Sequence, residues 1–140
     1  MTKRFPGGSE WRKWDLHVHL PGTKLSDNYE KKEGKPDWDR FADIIEASDV
    51  AVFGITDYWS AEQTLEFIEY YKSKFPNSEK LLLVNVEFRL NETVNGSVQM
   101  VDYHVIFRDT VDAAKIKEYL SKLLTQITDC LLYTSDAADE

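Results

Sequence analysis

The pattern of apolar and polar residues along the chain predicts three strands. Residues Lys13 to His19 alternate in the way that a strand with one buried face does. Residues 50–56 and 81–88 are instead almost continuously apolar and rich in β-branched side chains. Runs of this kind are typical of parallel strands that are buried on both faces of a sheet.

Helical periodicity separates these strands. Asp37 can cap a first helix whose apolar positions are Trp38, Phe41, Ala42 and Ile45. Ser60 and Gln63 form a capping-box pattern for a second helix, which Pro76 ends and whose apolar positions are Leu65, Ile68 and Tyr71. We expect a last helix to start at Asp109 or Thr110, with a buried face of Ile116, Leu120, Leu123, Leu124 and Ile127.

The connections complete this picture. Residues 21–36 are polar, without an apolar period, and predict a long loop. Asn95-Gly96 favours a tight turn, so residues 88–93 are expected to pair with residues 97–107 as a β-hairpin. Strands that alternate with helices favour an α/β fold around a parallel sheet, either a barrel or a doubly wound sheet. The length covers only about half of a full (β/α) barrel of ~250 residues.

Composition and charge narrow the function classes. The 140 residues are 42% apolar, which is enough for a core, and their net charge of -8 argues against binding nucleic acid by charge alone. A site that binds cations agrees better with this negative net charge than a nucleic-acid-binding surface does. No apolar run approaches the ~18 residues of a membrane span, and no secretion signal is evident, so we expect a cytoplasmic protein without a membrane partner.

The last eleven residues, Cys130 to Glu140, contain three acids and no base and break the preceding apolar spacing. They resemble the conceptual translation of a transposase adapter used in sequencing libraries; the alternative is a natural acidic terminus. On the adapter interpretation, residues 1–129 are an incomplete domain, residues 130–140 are a non-native tail, and Cys130 says nothing about redox chemistry.

Candidate ligands for a metal fall at strand ends. His17 and His19 share one side of a strand at a spacing from which two imidazoles can reach one ion, although such pairs also occur as structural histidines. Asp57 follows the second strand and Glu87 is near the end of the third; the carboxyl ends of barrel strands converge on one site. Asp57 could instead be a helix cap, Glu87 an exposed strand residue, and His104 a half-buried histidine bonded to backbone.

Four short segments carry a family resemblance: Asp15-Leu16-His17-Val18-His19, Gly54-Ile55-Thr56-Asp57, Val86-Glu87 and Tyr103-His104-Val105. In this order they resemble the motif series of the PHP (polymerase and histidinol phosphatase) superfamily. Residues 8–17 and Ile55-Thr56-Asp57-Tyr58 further resemble large bacterial proteins in which a PHP domain precedes an ATPase domain.

The resemblance implies a fold and a metal site. The fold would be a distorted, TIM-like (β/α)7 barrel, here partial and truncated. The site would hold two or three divalent ions (Mn, Zn or Fe) for phosphoester hydrolysis, in which metal ions lower the pKa of a bound water. The implied metal ligands are His17, His19, Asp57, Glu87 and His104.

Two further residues receive roles, and two depart from the family pattern. Asp15 would orient a ligand histidine. Arg89 could contact a phosphate, with a surface salt bridge as the alternative. Tyr58 stands where many members have a ligand histidine, Leu20 stands where a small hydroxyl residue is common, and a later Asp-x-His motif is absent.

Three functions follow as hypotheses. The first is a metal-dependent phosphoesterase, a phosphatase or a nuclease acting on nucleic acid, of which this chain is the front part and is expected to be inactive alone. The second, motivated by Tyr58 and Leu20, is a regulatory PHP domain that serves a downstream ATPase domain without catalysis. The third is a nucleic-acid-binding module that uses the run Trp11-Arg12-Lys13-Trp14 for stacking and charge.

Overall fold

The computed structural model describes residues 11–23, 25, 28–29, 31–94 and 96–123. The tail of residues 130–140, and the boundary before it, lie outside the described residues. The elements in chain order are β1 (Lys13–His19), β2 (Lys31–Lys32), β3 (Lys35–Pro36), α1 (Trp38–Ala47), β4 (Val50–Tyr58), α2 (Glu62–Lys74), β5 (Leu81–Val94), β6 (Ser97–Ile106) and α3 (residues 113–123).

The main sheet has four strands in the order β1-β4-β5-β6. Strands β1, β4 and β5 run parallel, as the apolar runs predict. Strand β6 pairs with β5 antiparallel, from Asn85 opposite Ile106 to Val94 opposite Ser97, which confirms the predicted hairpin. Strand three and the first hairpin arm, predicted as neighbouring segments, are one continuous strand.

The expected TIM-like (β/α)7 barrel is wrong for this chain. The described residues form a small mixed α/β fold, in which a four-stranded sheet curls into a half-barrel beside three helices. The physical reason lies at the hairpin. Because the chain reverses directly after Val94, β6 occupies the edge of β5 where a further parallel strand of a barrel would pair.

The helices begin where local hydrogen bonds allow. The Asp37 side chain accepts from the backbone N–H of Arg40 and caps α1, as predicted. The capping box for α2 is wrong: Ser60 accepts instead from the N–H of Glu62, and the helix starts there. Helix α3 also starts later than expected, because Asp112 accepts from the N–H of Lys115.

Two smaller segments differ in detail from the expectation. The long loop contains the β2–β3 hairpin, whose turn residues Glu33 and Gly34 both have positive φ angles, of 52° and 76°. Positive φ at both central positions is the geometry of a type I′ turn. Leu124 and Ile127, predicted on the last helix, lie outside the described residues.

One face of the sheet carries the core. Side chains of the three helices pack against alternate residues of β4 and β5, and the buried cluster consists mainly of Phe41, Ala42, Ile45, Phe53, Ile55, Phe67, Ile68, Tyr71, Val84, Val86, Phe88, Ile116 and Leu120. Because side chains alternate along a strand, the intervening residues of β4 and β5 point to the opposite, concave face. No helix in the described part of the chain is long and apolar enough to cross a membrane.

Strand β1 has an irregular register between Asp15 and Val18, next to its two histidines. Asp15 pairs with Phe53 and Val18 pairs with Ile55, so β1 uses one more residue than β4 over this stretch. Such a bulge interrupts the regular alternation of side chains between Asp15 and Val18. Gly54 lies opposite the bulge, where a Cβ atom would be 2.2 Å from the carbonyl oxygen of Leu16.

We predict that Gly54→Ala destabilises the protein by about 1–3 kcal/mol, as overpacking of a filled site does. The added methyl group would have to displace the backbone of Leu16 rather than a flexible side chain. Denaturant unfolding measures the loss. Gly34→Ala is the control, because its strain comes from φ alone and nothing lies within 4 Å of the added Cβ. A Gly54→Ala protein as stable as the parent would contradict the steric role of the bulge.

Candidate metal centre

Four of the five proposed ligands meet on the concave face of the sheet. His17 and His19 come from β1, Glu87 from β5, and His104 from β6, where it pairs directly with Glu87. We call these four residues the histidine–glutamate cluster. Strand β4 runs between β1 and β5 and contributes Thr56 and Tyr58 to the same face.

The donor atoms of this cluster are closely spaced. The Nε2 atoms of His17 and His19 are 3.0 Å apart. The Oε2 atom of Glu87 lies 3.1 Å from the first and 3.3 Å from the second. Ligand atoms of His17, Glu87 and His104 all lie within 4.8 Å of one another. The rings of His17 and His104 meet edge to face, with centroids 4.3 Å apart.

These separations fit the coordination shell of one small cation. Metal–ligand bonds of about 2.0–2.1 Å place neighbouring ligand atoms about 3.0 Å apart in an octahedron and about 3.4 Å apart in a tetrahedron. The three measured separations, 3.0, 3.1 and 3.3 Å, lie within that interval. Two imidazole nitrogens and a carboxylate oxygen are also a donor set that Zn, Mn and Fe accept.

Burial makes the carboxylate dependent on a positive partner. The side chain of Glu87 is only 2% exposed, whereas those of His19 and His17 are 18% and 50% exposed. A buried carboxylate is costly unless it is paired or binds a metal. Its cationic neighbour is Arg89, whose Nε atom is 3.5 Å from Oε1, beyond a good hydrogen bond. The cluster is therefore anionic at its base and reaches solvent through His17.

Electrostatics favour the neutral form of His19. Desolvation lowers the pKa of His19 below its ordinary value, and the charge of Glu87 opposes this effect. A neutral imidazole is the form that binds metals. Its Nδ1 atom is buried and has no hydrogen-bond partner among the described residues, while its Nε2 atom faces the cluster.

Asp57 is not brought into this cluster. Its neighbours Thr56 and Tyr58 both contact residues of the concave face, so strand alternation directs Asp57 to the other side. Its carboxylate accepts from the N–H of Tyr58 at 2.8 Å, a contact within β4, and the N-cap position of α2 is Ala61, so Asp57 does not take the alternative role of a helix cap either.

Asp15 and Arg89 lie beside the cluster. Asp15 accepts from the backbone N–H of His17 at 3.3 Å and so contacts the histidine through its main chain rather than its ring. Arg89 lies over the ring of Tyr58, 5.1 Å from the centroid, and donates to the Tyr58 hydroxyl at 3.4 Å. Its Nε atom is 3.6 Å from Asp102, so the alternative of a salt bridge is also represented.

Sequence reasoning treated Tyr58 only as a departure and missed Asn85 altogether. The Tyr58 ring stacks on His19 with centroids 4.9 Å apart, and its hydroxyl lies 3.5 Å from His19 Nε2. Burial raises the pKa of the Tyr58 hydroxyl, which keeps it protonated. Asn85 contacts His104 from the middle of β5. The available signal was an amide inside the otherwise apolar run of residues 81–88.

The Trp11–Trp14 run lies at the opposite end of β1 from His19. Trp11 and Trp14 are exposed, but Lys13 forms an ion pair with Asp49. The surface depression beside them, of about 660 Å³, is lined by acids as well as bases: Arg12, Lys13, Glu46, Asp49, Glu79 and Lys80. This mixed charge lacks the basic character that single-stranded nucleic acid requires.

Comparison with known proteins adds no assignment: no protein-family model, no curated protein and no solved structure matches the chain. The resemblance to the PHP superfamily therefore rests on the four short segments of the sequence.

We predict that Glu87→Gln lowers the pKa of His19 further. The carboxylate favours the imidazolium form, so its removal leaves desolvation less opposed. An NMR pH titration of the histidine ring protons in metal-free protein measures both values. Glu66→Gln, at an exposed position on α2, is the matched control and should leave His19 unchanged. A His19 pKa that rises in Glu87→Gln would contradict the arrangement.

Proposed function

We propose that the histidine–glutamate cluster binds a divalent cation and that this chain carries the cation site of a phosphoester hydrolase. One observation supports this most strongly: two imidazole nitrogens and a buried carboxylate oxygen lie 3.0–3.3 Å from one another. Three donor atoms that converge to this spacing from β1 and β5 can share one cation, and the same contacts are hydrogen bonds when a ring nitrogen carries the proton.

The carboxylate and the histidines would contribute differently to such a cation site. Glu87 supplies a negative charge that offsets part of the charge of the cation, and the histidines supply neutral nitrogen donors. When a divalent cation is bound, it lowers the pKa of water near neutral pH and offsets charge on phosphoryl oxygens. The half-exposed side chain of His17 marks the side from which water and a substrate enter.

Arg89 is the residue proposed to meet the substrate. A guanidinium group pairs with phosphate through several N–H donors. Arg89 sits two residues beyond Glu87 on the same face of β5, and its present contacts with carboxylates, at 3.5 and 3.6 Å, are long. A phosphate that approaches the cluster would offer closer acceptors than these two carboxylates do.

A second candidate is a domain that binds a cation without hydrolysis. Tyr58 favours it, because a protonated phenol packed on His19 occupies space beside the cluster and contributes no anionic ligand. Cation binding is common to both candidates, whereas turnover belongs only to the first.

We predict that the chain binds Mn²⁺ or Zn²⁺ and that Glu87→Gln and His17→Ala each weaken binding by at least about tenfold, since the first removes the anionic charge of the carboxylate and the second removes a nitrogen donor. Isothermal titration calorimetry of the purified chain measures the affinities, with Glu66→Gln as the matched control. Equal affinity in the parent, Glu87→Gln and His17→Ala would overturn the cation site.

Hydrolysis of bis(p-nitrophenyl) phosphate with Mn²⁺, by the product of the complete gene, then separates the two candidates. Turnover that is lost in His17→Ala and reduced in Arg89→Gln, with Mn²⁺ affinity retained in Arg89→Gln, supports the hydrolase. Cation binding without turnover would leave only the second candidate.

A further inference from the structure

Asn85 is a fully buried amide at the centre of the concave face, 0% exposed. Its Nδ2 atom lies 2.8 Å from the carbonyl oxygen of Leu16 on β1 and 2.9 Å from the Oγ1 atom of Thr56 on β4. On its other side lies the Nδ1 atom of His104, 3.1 Å from Nδ2 and 3.2 Å from Oδ1. This side chain on β5 thus contacts residues of the three other strands of the sheet, β1, β4 and β6.

Counting hydrogens decides which atom of Asn85 faces His104. The amide nitrogen has two N–H groups. The Leu16 carbonyl can only accept, and the Thr56 hydroxyl already donates to the carbonyl of Gly54 at 3.2 Å, so it accepts from Asn85. These two nearer acceptors use both N–H groups. The reversed amide would place two oxygen acceptors 2.8 Å apart at Leu16, which is repulsive.

The Oδ1 atom is therefore the partner of His104, and an amide oxygen can only accept. The hydrogen in that contact must come from the imidazole, so Nδ1 of His104 carries it. In a neutral imidazole the other nitrogen, Nε2, then has the free lone pair. The hydrogen bond of one ring nitrogen commonly fixes which nitrogen binds a metal.

We propose that Asn85 is a positioning residue that holds neutral His104 in the tautomer with Nδ1 protonated, and so presents Nε2 as a donor to the cluster. The tautomer follows from the hydrogen-bond network alone. Its consequence for cation affinity rests on the proposed function.

The same amide also supports the opposite side of the cluster. Leu16 precedes His17 and lies in the bulge of β1, where its carbonyl oxygen crosses above Gly54 to reach Asn85. A bulge in β1 and a histidine on β6 are thereby tied to one buried group on β5. Loss of this group would release both the backbone before His17 and the ring of His104.

Nitrogen-15 NMR of the imidazole groups tests the tautomer directly, in the metal-free chain and in alkaline buffer where imidazoles are neutral. We expect the parent to show His104 protonated at Nδ1. Asn85→Leu should lose this preference and bind Mn²⁺ roughly 10- to 100-fold more weakly, the usual effect of removing a group that orients a ligand histidine. Asn85→Asp keeps an acceptor for Nδ1–H and should retain the tautomer, while its second carboxylate oxygen, which meets the carbonyl oxygen of Leu16, is expected to lower the stability of the protein.

A control variant and a second test variant distinguish loss of the tautomer from general destabilisation. Thr64→Val removes a buried hydroxyl from α2, away from the cluster, and should change neither the tautomer nor the Mn²⁺ affinity. If Asn85→Leu does not fold, Asn85→Ala carries the test, because it also removes the acceptor for Nδ1–H of His104 and should lose the preference. His104 protonated at Nε2 in the parent, or an unchanged tautomer in Asn85→Leu, would overturn the proposal. A parent with the expected tautomer but no cation binding would overturn only the proposed function.

Discussion

The buried carboxylate of Glu87 is the constraint on which the concave face depends. A side chain that is 2% exposed holds a charge in the sheet, and the described groups around it include three imidazoles and one more distant guanidinium. Removing a carboxylate from water is expensive, so the surrounding groups must be held in a geometry that offsets this cost. The positions of His17, His19 and Arg89 can all be understood from this requirement.

The fold provides that geometry by separating apolar from polar packing. The three helices of the described chain lie against one face of the curled sheet, which leaves the other face to polar residues of β1, β4, β5 and β6. Parallel pairing of β1, β4 and β5 brings strands from distant parts of the sequence side by side. The antiparallel hairpin then places His104 opposite Glu87. The bulge beside Gly54 sets how β1 enters this face.

The sequence was sufficient for the local elements and for most of the cluster. Apolar periodicity located β1 and α1, and the Asn95-Gly96 dipeptide located the turn before Ser97, because these depend on neighbouring residues. The predicted barrel was wrong because β6 pairs antiparallel with the outer edge of β5, where a further parallel strand would have to pair. That pairing is a property of the whole sheet and not of neighbouring residues. The capping box at Ser60 failed because its hydroxyl met the N–H of Glu62 first.

The site residues likewise divide into those that local sequence identifies and those that depend on contacts across the sheet. His17, His19, Glu87 and His104 were identified from residue type and motif order, which survive in the linear sequence. Asp57 was included on its position at a strand end, but strand parity directs it away from the cluster. Asn85 escaped notice because its role arises only from three contacts across the sheet, none of them local. Long-range hydrogen bonds of this kind leave no spacing pattern.

Whether His17, His19 and Glu87 form one cation site can be tested by a crystal structure of the Mn²⁺-treated chain, with anomalous scattering recorded at the manganese edge. We expect an anomalous peak bonded to the Nε2 atoms of His17 and His19 and to the Oε2 atom of Glu87, at about 2.0–2.2 Å. A peak elsewhere on the chain, or none in this cluster at saturating Mn²⁺, would contradict it.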